Sequence, residues 1–481
     1  MVSSSSLVNC EELKHKEQPP YSILTKREKG YLAVLISLTG IWSTLSSSIY
    51  FPALPILSEK FKEPASITNV SVVVYLIFQG LGPSFMAPIA DKYGRRPSVL
   101  FCLVAYCATC IGLSRTNVYW LLVVLRCIQA LSIAPVISIS SGVVGDICPR
   151  SERGVFVGIV TGLQLVGQGF GGLLGAGLVS GFGWRGIFVF LAIGSGVVFI
   201  LALILYPETS RSLVGDMSVQ PKRLVNLSPI LYLPTIRSRL VGNVDSITPS
   251  TNSKLSNAFA PFVIFFKPTI FFILLPGGLQ FTTWTMSLTT LSTSLSSKYD
   301  FSVIKIGLCY LAPGLGSLIG SLASGKLLNL IYKQKKDQYD EEIKGVENPP
   351  IFNIYKARLH ICIIPSLIAI ACYIVFGWCI QYRVNIAVPL IAAFIYSTCA
   401  ICIMSALTTL LVDLFPHQGS SSSSCINLMR CLLGAAGVGV LQSIVDGIGE
   451  GGCYTIMGGF CAIGTLVLWF VVHQTGKKLI K

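Results

Sequence analysis

Residues Ala87 to Leu100 read A-P-I-A-D-K-Y-G-R-R-P-S-V-L, and this short run decides the fold. Its charges, from Asp91 to Arg96, stand between two long apolar segments and are too few to form a domain. A short charged turn between two such segments is typical of a connection between two membrane-crossing helices. Because Lys and Arg collect on the cytoplasmic side of a membrane, the run also predicts the side on which this turn lies.

The composition is that of a polytopic membrane protein. Of 481 residues, 52% are hydrophobic and 12% are charged, and the mean hydropathy is +0.71. A helix needs about 20 apolar residues to cross the ~30 Å hydrocarbon core of a bilayer. Apolar runs of that length predict an all-α protein with twelve transmembrane spans, near residues 31–51, 70–90, 97–114, 117–141, 155–179, 186–206, 266–290, 303–325, 358–380, 385–411, 425–446 and 453–473.

Positive charge is distributed unevenly along the chain. The net charge is +15, and most of the 36 Lys and Arg residues fall in the N-terminal segment, the even-numbered turns and the C-terminal end. This asymmetry follows the positive-inside rule, so it predicts that both termini are cytoplasmic. The same asymmetry indicates that the basic residues orient the chain in the bilayer and do not form a nucleic-acid-binding surface. The first thirty residues have no apolar core before a cleavage site, so we expect no signal peptide.

Two short matches indicate an internal repeat. The sequence D-I-C-P at residues 146–149 returns as D-L-F-P at 413–416, and F-L-A-I-G at 190–194 returns as F-C-A-I-G at 460–464. The near-equal offsets predict two pseudo-symmetric six-helix bundles with a binding site between them near the bilayer midplane. The predicted domains are a cytoplasmic tail over 1–30, a bundle over 31–206, a polar cytoplasmic linker over 207–265, a second bundle over 266–473 and a cytoplasmic tail over 474–481.

The charged turn also resembles a family signature. Residues 87–96 are similar to G-x-L-A-D-R-x-G-R-R, the loop between spans 2 and 3 of the major facilitator superfamily, although Ala87, Ile89 and Lys92 depart from it. The resemblance implies the major facilitator fold and the export of drugs or small amphiphilic solutes in exchange for protons. Three further segments resemble the fungal drug:proton antiporters with twelve spans, of the quinidine-resistance and weak-acid-resistance branch: Y-L-I-F-Q-G at 75–80, P-E-T-S-R-S-L-V-G at 207–215 and Y-L-A-P-G-L-G-S at 310–317.

Span 5 carries glycines at the spacing of the family's antiporter motif, G-x8-G-x3-G-P-x2-G-G. Gly172 stands where the motif has Pro, and Ala176 stands where it has the last Gly. Glycines four apart on one helix face let helices pack closely, so these residues favour a packing seam. The resemblance implies instead a helix that kinks and seals the cavity in one state. The matching positions are Gly158, Gly167, Gly171 and Gly175.

Two arginines lie inside predicted spans. Arg126 is near the middle of span 4 in R-C-I-Q-A, and an arginine at that depth should face a cavity or a partner. The segment is similar to the family's R-x-x-Q-G, which implies proton coupling or contact with an anionic substrate and includes Gln129. Arg430 in span 11 is paired with Gln164 by the internal repeat. It either faces the cavity or extends to the cytoplasmic interface.

The acidic residues leave the middle of every predicted span without a carboxylate. All 21 fall in tails, turns or span ends. Many proton antiporters carry a carboxylate in the first span, but here that stretch reads W-S-T-L-S-S-S-I-Y over 42–50. The groups that remain as candidates for titration are Asp91, Asp146 and Asp413, at the predicted cytoplasmic ends of their spans.

These acids and the charged turn predict a conformational latch. We expect Arg95 to pair with Asp146, and Asp91 to face the amino end of span 11. The Ser420–Ser424 run there is built of N-cap residues, and the helix dipole attracts an anion. The alternative is that the charges only set the topology, which suffices for Arg96. The predicted latch consists of Asp91, Gly94, Arg95, Arg96, Asp146 and Asp413.

Polar and aromatic side chains within apolar spans make a shortlist for a substrate-binding surface. Aromatic rings with few fixed charges suit amphiphilic or cationic, drug-like solutes, which bind by stacking and cation–π contact. Trp and Tyr are also common at helix interfaces and membrane edges, so each alone is equally consistent with packing. The shortlist is Gln79, Gln164, Gln168, Gln280, Trp284, Tyr310 and Asn427.

Three functions fit the sequence. The first is export of drugs or amphiphiles across the plasma membrane by proton antiport. The second is export of one endogenous metabolite, such as a weak organic acid, an amino acid or a cell-wall precursor, and the third is a membrane receptor that no longer transports. The four histidines are scattered and no nucleophile or metal motif is evident, so we expect no enzyme, metal site or cofactor. We expect a monomer whose partners are a small molecule, protons and the bilayer.

Overall fold

The computed structural model describes residues 21–221, 223–232, 238, 260–342, 352–415 and 419–478. Helices dominate these residues, which contain no strand. Nine helices in this described part of the chain are long and apolar enough to cross a membrane. Two of the nine, Glu152–Leu205 and Ser422–His473, are 54 and 52 residues long. At about 1.5 Å per residue, each is long enough to cross a bilayer twice.

The two long helices break at glycines in equivalent places. Helix Arg150–Leu205 leaves helical geometry at Gly183 (φ 70°, ψ 177°), and Gly419–Lys478 does so at Gly449 (φ 76°, ψ 172°). Positive φ angles of this kind are accessible to glycine without strain. The two glycines lie 266 residues apart, so the internal repeat extends to the backbone geometry.

Each break reverses the chain and joins two spans. Gly167 and Gly194 lie on opposite sides of the break at Gly183, yet both pack against span 1, at Ile41 and Trp42. In the second bundle, the segments before and after Gly449 both pack against span 7 in the same way. The long helices therefore contain spans 5 and 6 and spans 11 and 12.

The remaining spans are single helices or helices with one interruption. Helix Pro268–Ser297 is 30 residues long and supplies span 7, which brings the number of crossings in the described residues to twelve. The other bounds are Lys26–Ser48 and Leu54–Phe61 for span 1, Ala65–Tyr93 for span 2, Arg95–Arg115 for span 3, Tyr119–Ile133 and Pro135–Ile147 for span 4, Val303–Cys309 and Leu311–Glu342 for span 8, Ile354–Leu359 and Ile363–Gln381 for span 9, and Ala387–Leu414 for span 10.

Three helix ends differ from the apolar runs. Span 1 begins at Lys26, because Thr25 and Glu28 form a capping box in which each side chain accepts from the other's backbone N–H. Span 8 continues as helix to Glu342, well beyond its apolar part, since Lys, Gln and Glu are good helix formers. Span 11 begins at Gly419, with the serines in its first turns. Hydropathy does not register polar helical turns of this kind.

The two bundles meet mainly along two pairs of spans. Span 2 packs against span 11, and span 5 packs against span 8. A Cβ added to Gly80 would lie 3.0 Å from Cys431 Cβ, and one added to Gly158 would lie 2.8 Å from Gly325 Cα. Ser321 of span 8 also donates its hydroxyl to the Gly158 carbonyl over 2.8 Å. The interface is pseudo-symmetric, because spans 8 and 11 are the repeat counterparts of spans 2 and 5.

The glycines of the span 5 motif all pack against neighbouring helices. Gly158 faces span 8, whereas Gly167, Gly171 and Gly175 face span 1. The helix keeps regular dihedral angles until Gly183. In this conformation the motif therefore serves as a packing seam on two sides of span 5, and its proposed kink remains a prediction.

Replacing Gly158 with Ala should push span 5 away from span 8, because the new Cβ would lie 2.8 Å from Gly325 Cα. Overpacking of this kind typically costs about 1–3 kcal/mol. Gly177→Ala is a matched control in the same helix, since nothing lies within 4 Å of a Cβ added there. Thermal unfolding in detergent should show a lower midpoint for Gly158→Ala only. Equal midpoints for the two variants would contradict the tight contact.

Candidate functional site

One end of the molecule carries buried charges on both bundles. We call it the charged end, and it comprises Asp91, Arg95, Asp146, Arg153, Arg358 and Asp413. Arg95 is 3% exposed; its Nε lies 3.1 Å from Oδ2 of Asp146, and its Nη1 pairs with Asp91. Gly94, with a φ of 119°, separates spans 2 and 3. Asp91 and Arg95 therefore pair across a sharp break in the chain and not along one helix.

Glu208 holds the start of span 3 within the first bundle. Its carboxylate accepts from the backbone N–H groups of Arg95 (2.8 Å) and Arg96 (3.2 Å), where the helix dipole favours an anion. Arg96 donates to the carbonyls of Leu203 (2.7 Å) and Tyr206 at the end of span 6. Arg96 therefore ties spans 3 and 6 of one bundle together. Glu208 is not among the residues predicted from the sequence, although it stands in the P-E-T-S-R segment.

Asp413 joins the two bundles. It lies at the end of span 10, and its Oδ1 is 2.7 Å from Nη1 of Arg153, at the start of span 5. Its Oδ2 accepts from Nε of Arg358 over 3.0 Å and lies 2.9 Å from Nη2 of that side chain, at the start of span 9. All three side chains are at most 1% exposed. One buried carboxylate thus pairs with two arginines, one from each bundle.

The sequence predicts Asp413 as a site residue but misses both of its partners. The repeat contains a signal for Arg358: like Arg95, it stands near the start of the third span of its bundle. Each of these arginines pairs with the aspartate that ends the next span, Asp146 or Asp413. Arg153 has no such signal, because its contact crosses from one bundle to the other.

The segment before span 1 lies across the charged end. Tyr21 donates its hydroxyl to the Gly145 carbonyl over 3.0 Å, and Arg153 Nη2 donates to the same hydroxyl over 3.4 Å. Arg211, which follows span 6, stacks on the Tyr21 ring at 3.6 Å and donates to the Asp146 carbonyl over 2.9 Å. Tyr21 therefore contacts the surroundings of both ion-pair groups. The sequence gives no sign of this, because residues 1–30 look like a polar tail.

Part of the predicted latch lies outside the described residues. The expected contact between Asp91 and the start of span 11 involves Ser420 and Ser421, whose side chains are not among those described. Further along span 11, Ser423 donates its hydroxyl to the Ser138 carbonyl in span 4 over 3.1 Å. This hydrogen bond also joins the two bundles.

Arg126 lies fully buried inside the first bundle. Its guanidinium carbon is 4.2 Å from the ring centroid of Tyr50 and 4.1 Å from that of Tyr75, which gives two cation–π contacts. Its Nη1 donates to Oε1 of Gln129 over 2.8 Å and to the Ser46 carbonyl over 3.2 Å. Arg126 and Gln129, one turn apart in span 4, thus form one polar group.

Arg430 is buried in the second bundle and is 5% exposed. Its Nε donates to Oδ1 of Asn427 over 2.8 Å, and its guanidinium lies 4.9 Å from the ring centroid of Phe281. In this conformation Arg430 hydrogen-bonds within its own span, and its position relative to the membrane interface stays a prediction. Asn427 Nδ2 donates to the Gln79 carbonyl over 2.5 Å, so this group also reaches the first bundle.

Two members of the substrate shortlist have their polar atoms satisfied within the second bundle. Trp284 Nε1 donates to Oγ of Ser397 over 2.9 Å, and Tyr310 donates its hydroxyl to the Leu288 carbonyl over 2.5 Å. The Tyr310 ring also packs against Gly172 of span 5. In this conformation both residues therefore contribute to packing.

Three glutamines of the shortlist differ, because each has at least one buried amide atom without a hydrogen-bond partner. These atoms are Nε2 of Gln164 and Gln168 in span 5 and both amide atoms of Gln280 in span 7. Buried amides without partners are rare in proteins and often indicate a site that water or a ligand occupies. These three side chains are therefore stronger candidates for contact with a solute than Trp284 or Tyr310.

A narrow cleft lies between the bundles at the end opposite the charged end. It is bounded by span 2 of the first bundle and by spans 7 and 11 of the second. The lining residues are Asn69, Thr289, Thr290, Thr293, Ser294, Val438, Leu441, Gln442 and Val445. The bundles also stay in contact at this end, because span 5 packs against the start of span 8: a Cβ added to Gly307 would lie 2.7 Å from the Cβ of Ala176.

Two six-span bundles that are related by an internal repeat and pack against each other are typical of a membrane transporter. Residues 36–438 match the model of the Major Facilitator Superfamily. The chain belongs to that family, and it is a transporter and not an enzyme.

Similar proteins place the chain among fungal members of the family. The MFS antiporter QDR2 of Candida albicans is 49% identical over 99% of this chain and 94% of that protein. Quinidine resistance protein 1 of Saccharomyces cerevisiae is 39% identical over 96% of this chain and 85% of that protein. The solved structure of the proton:xylose symporter XylE superposes with a TM-score of 0.65 at 15% identity, over 93% of this chain and 97% of that chain. The family and fold predicted from the sequence are confirmed.

Replacing Asp413 with Asn should open the charged end. Arg153 and Arg358 would both lose their counter-ion, and removal of one partner from a buried ion pair costs about 3–5 kcal/mol. Labelling of Cys148 with a thiol reagent, resolved by mass spectrometry, should become about tenfold faster or more, because Cys148 is buried and its backbone carbonyl accepts from Arg153.

Glu450→Gln is the matched control for that variant. It also removes a buried carboxylate from an ion pair, with the partly exposed Lys298 at 2.6 Å, but the pair lies at the opposite end and within the second bundle. The labelling rate of Cys148 should stay unchanged. Equal acceleration in both variants would show that loss of any buried ion pair loosens the fold, and it would contradict a specific role for Asp413.

Proposed function

We propose that this chain exports drugs or small amphiphilic organic solutes across the plasma membrane in exchange for protons, with both termini in the cytoplasm. The names of its fungal relatives, an MFS antiporter and a quinidine resistance protein, support this class of cargo. The excess of Lys and Arg at the charged end supports its assignment to the cytoplasmic side. On this proposal the molecule is a monomer, with bundles over 31–206 and 266–473 joined by the linker over 207–265.

The observation that carries the proposal is the ion pair between Arg153 and Asp413. It closes the charged end between the bundles, while the opposite end has a cleft. Unpartnered glutamine amides, including those of Gln164 and Gln280, lie buried between these two ends. Rocking of the bundles would break the ion pair, close the cleft and present the central side chains to the other side of the membrane. This is alternating access.

Proton coupling is assigned to the charged end. Asp91, Asp146 and Asp413 are the candidates, and each pairs with an arginine there. A protonated Asp413 no longer neutralises Arg153, so protonation weakens the contact that holds the bundles together. The exchange of a proton for a solute is then linked to opening of this end, and Asp91, Gly94, Arg95 and Asp146 form the latch within the first bundle.

A dedicated metabolite exporter is a second candidate. The specific observation that favours it is the pair of buried arginines, Arg126 and Arg430, because fixed charge in a binding region favours substrates of one sign. A receptor without transport is the alternative of another class, and measurement of flux distinguishes it from both exporters.

Flux through the purified chain in proteoliposomes tests the proposal. An imposed proton gradient should drive uptake of a quinoline-type cation against its own gradient, and an uncoupler should abolish this uptake. Asp413→Asn should transport the cation with weakened coupling to protons, since its ion pairs no longer respond to protonation. Absence of gradient-driven flux in folded, inserted protein, for this cation and for other amphiphiles, would contradict the proposal and favour the receptor.

A further inference from the structure

We infer that the segment before span 1 is a strap that holds the transporter closed at the charged end, and that Tyr21 is its positioning residue. The strap comprises residues 21–25, which precede the helix that begins at Lys26. The inference rests on the proposed function, because that function requires the charged end to open during transport. Closure of this end is nevertheless a separate property, which can be measured without transport.

The hydroxyl of Tyr21 binds two first-bundle residues that contact the end of span 10. It donates to the Gly145 carbonyl over 3.0 Å and accepts from Nη2 of Arg153 over 3.4 Å. Arg153 Nη1 in turn pairs with Asp413 over 2.7 Å. A Cβ added to Gly145 would lie 3.0 Å from Cγ1 of Val412, so Gly145 also stands against the second bundle. One hydroxyl therefore supports two neighbouring contacts between the bundles.

The two terminal nitrogens of the Arg153 guanidinium face different bundles. Nη1 donates to Asp413 of the second bundle. Nη2 donates to the Tyr21 hydroxyl and, over 3.3 Å each, to the carbonyls of Gly145 and Cys148 in the first bundle. The N–H donors of a guanidinium are fixed in one plane, so anchoring Nη2 directs Nη1 toward Asp413. Because the other two acceptors are backbone carbonyls, Tyr21 is the anchor that a substitution can remove.

The segment after span 6 holds the strap in place. The guanidinium carbon of Arg211 lies 3.6 Å from the centroid of the Tyr21 ring, and its Nη2 donates to the Tyr21 carbonyl over 2.6 Å. The Ile23 N–H donates to the Asp216 carbonyl over 3.2 Å, and the Ser22 side chain between them is buried. The strap is thus fixed by its backbone and by the Tyr21 ring, which places the Tyr21 hydroxyl at Arg153.

These contacts of the strap are with the first bundle and with the segment that follows it, so the strap acts on the second bundle through Arg153. Without the Tyr21 hydroxyl, the Arg153 side chain is less constrained and loses more conformational entropy when it pairs with Asp413. The conformation closed at the charged end should then be less populated. A strap that only stabilised the first bundle would instead lower the unfolding midpoint and leave this population unchanged.

Thiol labelling of a Val412→Cys variant, resolved by mass spectrometry, tests the inference. Position 412 is buried, lies in the second bundle and faces Gly145, so its labelling rate reports opening between the bundles. Adding Tyr21→Phe removes the hydroxyl but keeps the ring against Arg211, and it should accelerate labelling about tenfold, because a hydrogen bond to a charged group is lost. Arg211→Gln should act in the same direction, since it releases the strap from the segment after span 6.

Tyr119→Phe in the same Val412→Cys background is the matched control. It removes a hydroxyl that donates to the Ile67 carbonyl over 2.6 Å, within the first bundle but at the opposite end, and it should leave the labelling rate unchanged. A second comparison uses Asp413→Asn. Adding Tyr21→Phe to that variant should give no further acceleration, because Tyr21 acts through the ion pair that Asp413→Asn has already removed.

A labelling rate unchanged by Tyr21→Phe would overturn the inference, even if the unfolding midpoint fell. Full further acceleration by Tyr21→Phe on top of Asp413→Asn would also overturn it, since the strap would then act independently of Arg153 and Asp413. The outcomes remain separable from those of the transport proposal. Accelerated labelling without any flux supports the strap and contradicts the exporter, whereas proton-driven flux with a labelling rate that Tyr21→Phe does not change contradicts only the strap.

Discussion

The structure depends on one shared carboxylate. Asp413, at the end of span 10, is held by Arg358 of its own bundle and by Arg153 of the other, and all three side chains are buried. The group holds two guanidinium charges against one carboxylate, so loss of the carboxylate would leave two positive charges close together in a low dielectric. The contact between the bundles at this end therefore depends on the charge of the Asp413 carboxylate. Tyr21 and Arg211 lie against the same region, so segments outside the spans are positioned to influence its opening.

Buried charges are paired at the charged end of the molecule and sparse at its centre, and the bilayer explains this distribution. At the charged end, each buried arginine of the ion-pair groups has an aspartate, and the second bundle repeats the arrangement of the first: Arg95 with Asp146, and Arg358 with Asp413. In the centre, the contacts of Arg126 within the described part of the chain are with neutral groups and aromatic rings. A charged side chain at such a depth destabilises the protein, so its presence in a transporter indicates a functional role. Contact with a charged solute is one such function.

The sequence was sufficient for the family, the twelve spans and the two-bundle fold, because hydropathy, charge asymmetry and short motifs each depend on local sequence. It was less informative where contacts join distant segments. In the sequence, Arg153 looks like an ordinary turn residue, and only the structure shows its contact with Asp413 of span 10. Tyr21 likewise looks like part of a polar tail. Trp284 and Gln280 look equivalent in the sequence, yet one has its polar atom satisfied and the other does not. Such differences are set by the neighbouring helix and are absent from the pattern of the chain itself.

The most direct test of the account is the distance between the bundles at the charged end. Spin labels at Lys92 in the first bundle and Lys333 in the second, both exposed, can report it by double electron–electron resonance in a background without native cysteines. The account predicts two distance populations whose ratio changes with pH and with a transported solute, and a shift to the longer distance in Asp413→Asn. A single distance that stays the same under all these conditions would contradict alternating access controlled by this ion pair.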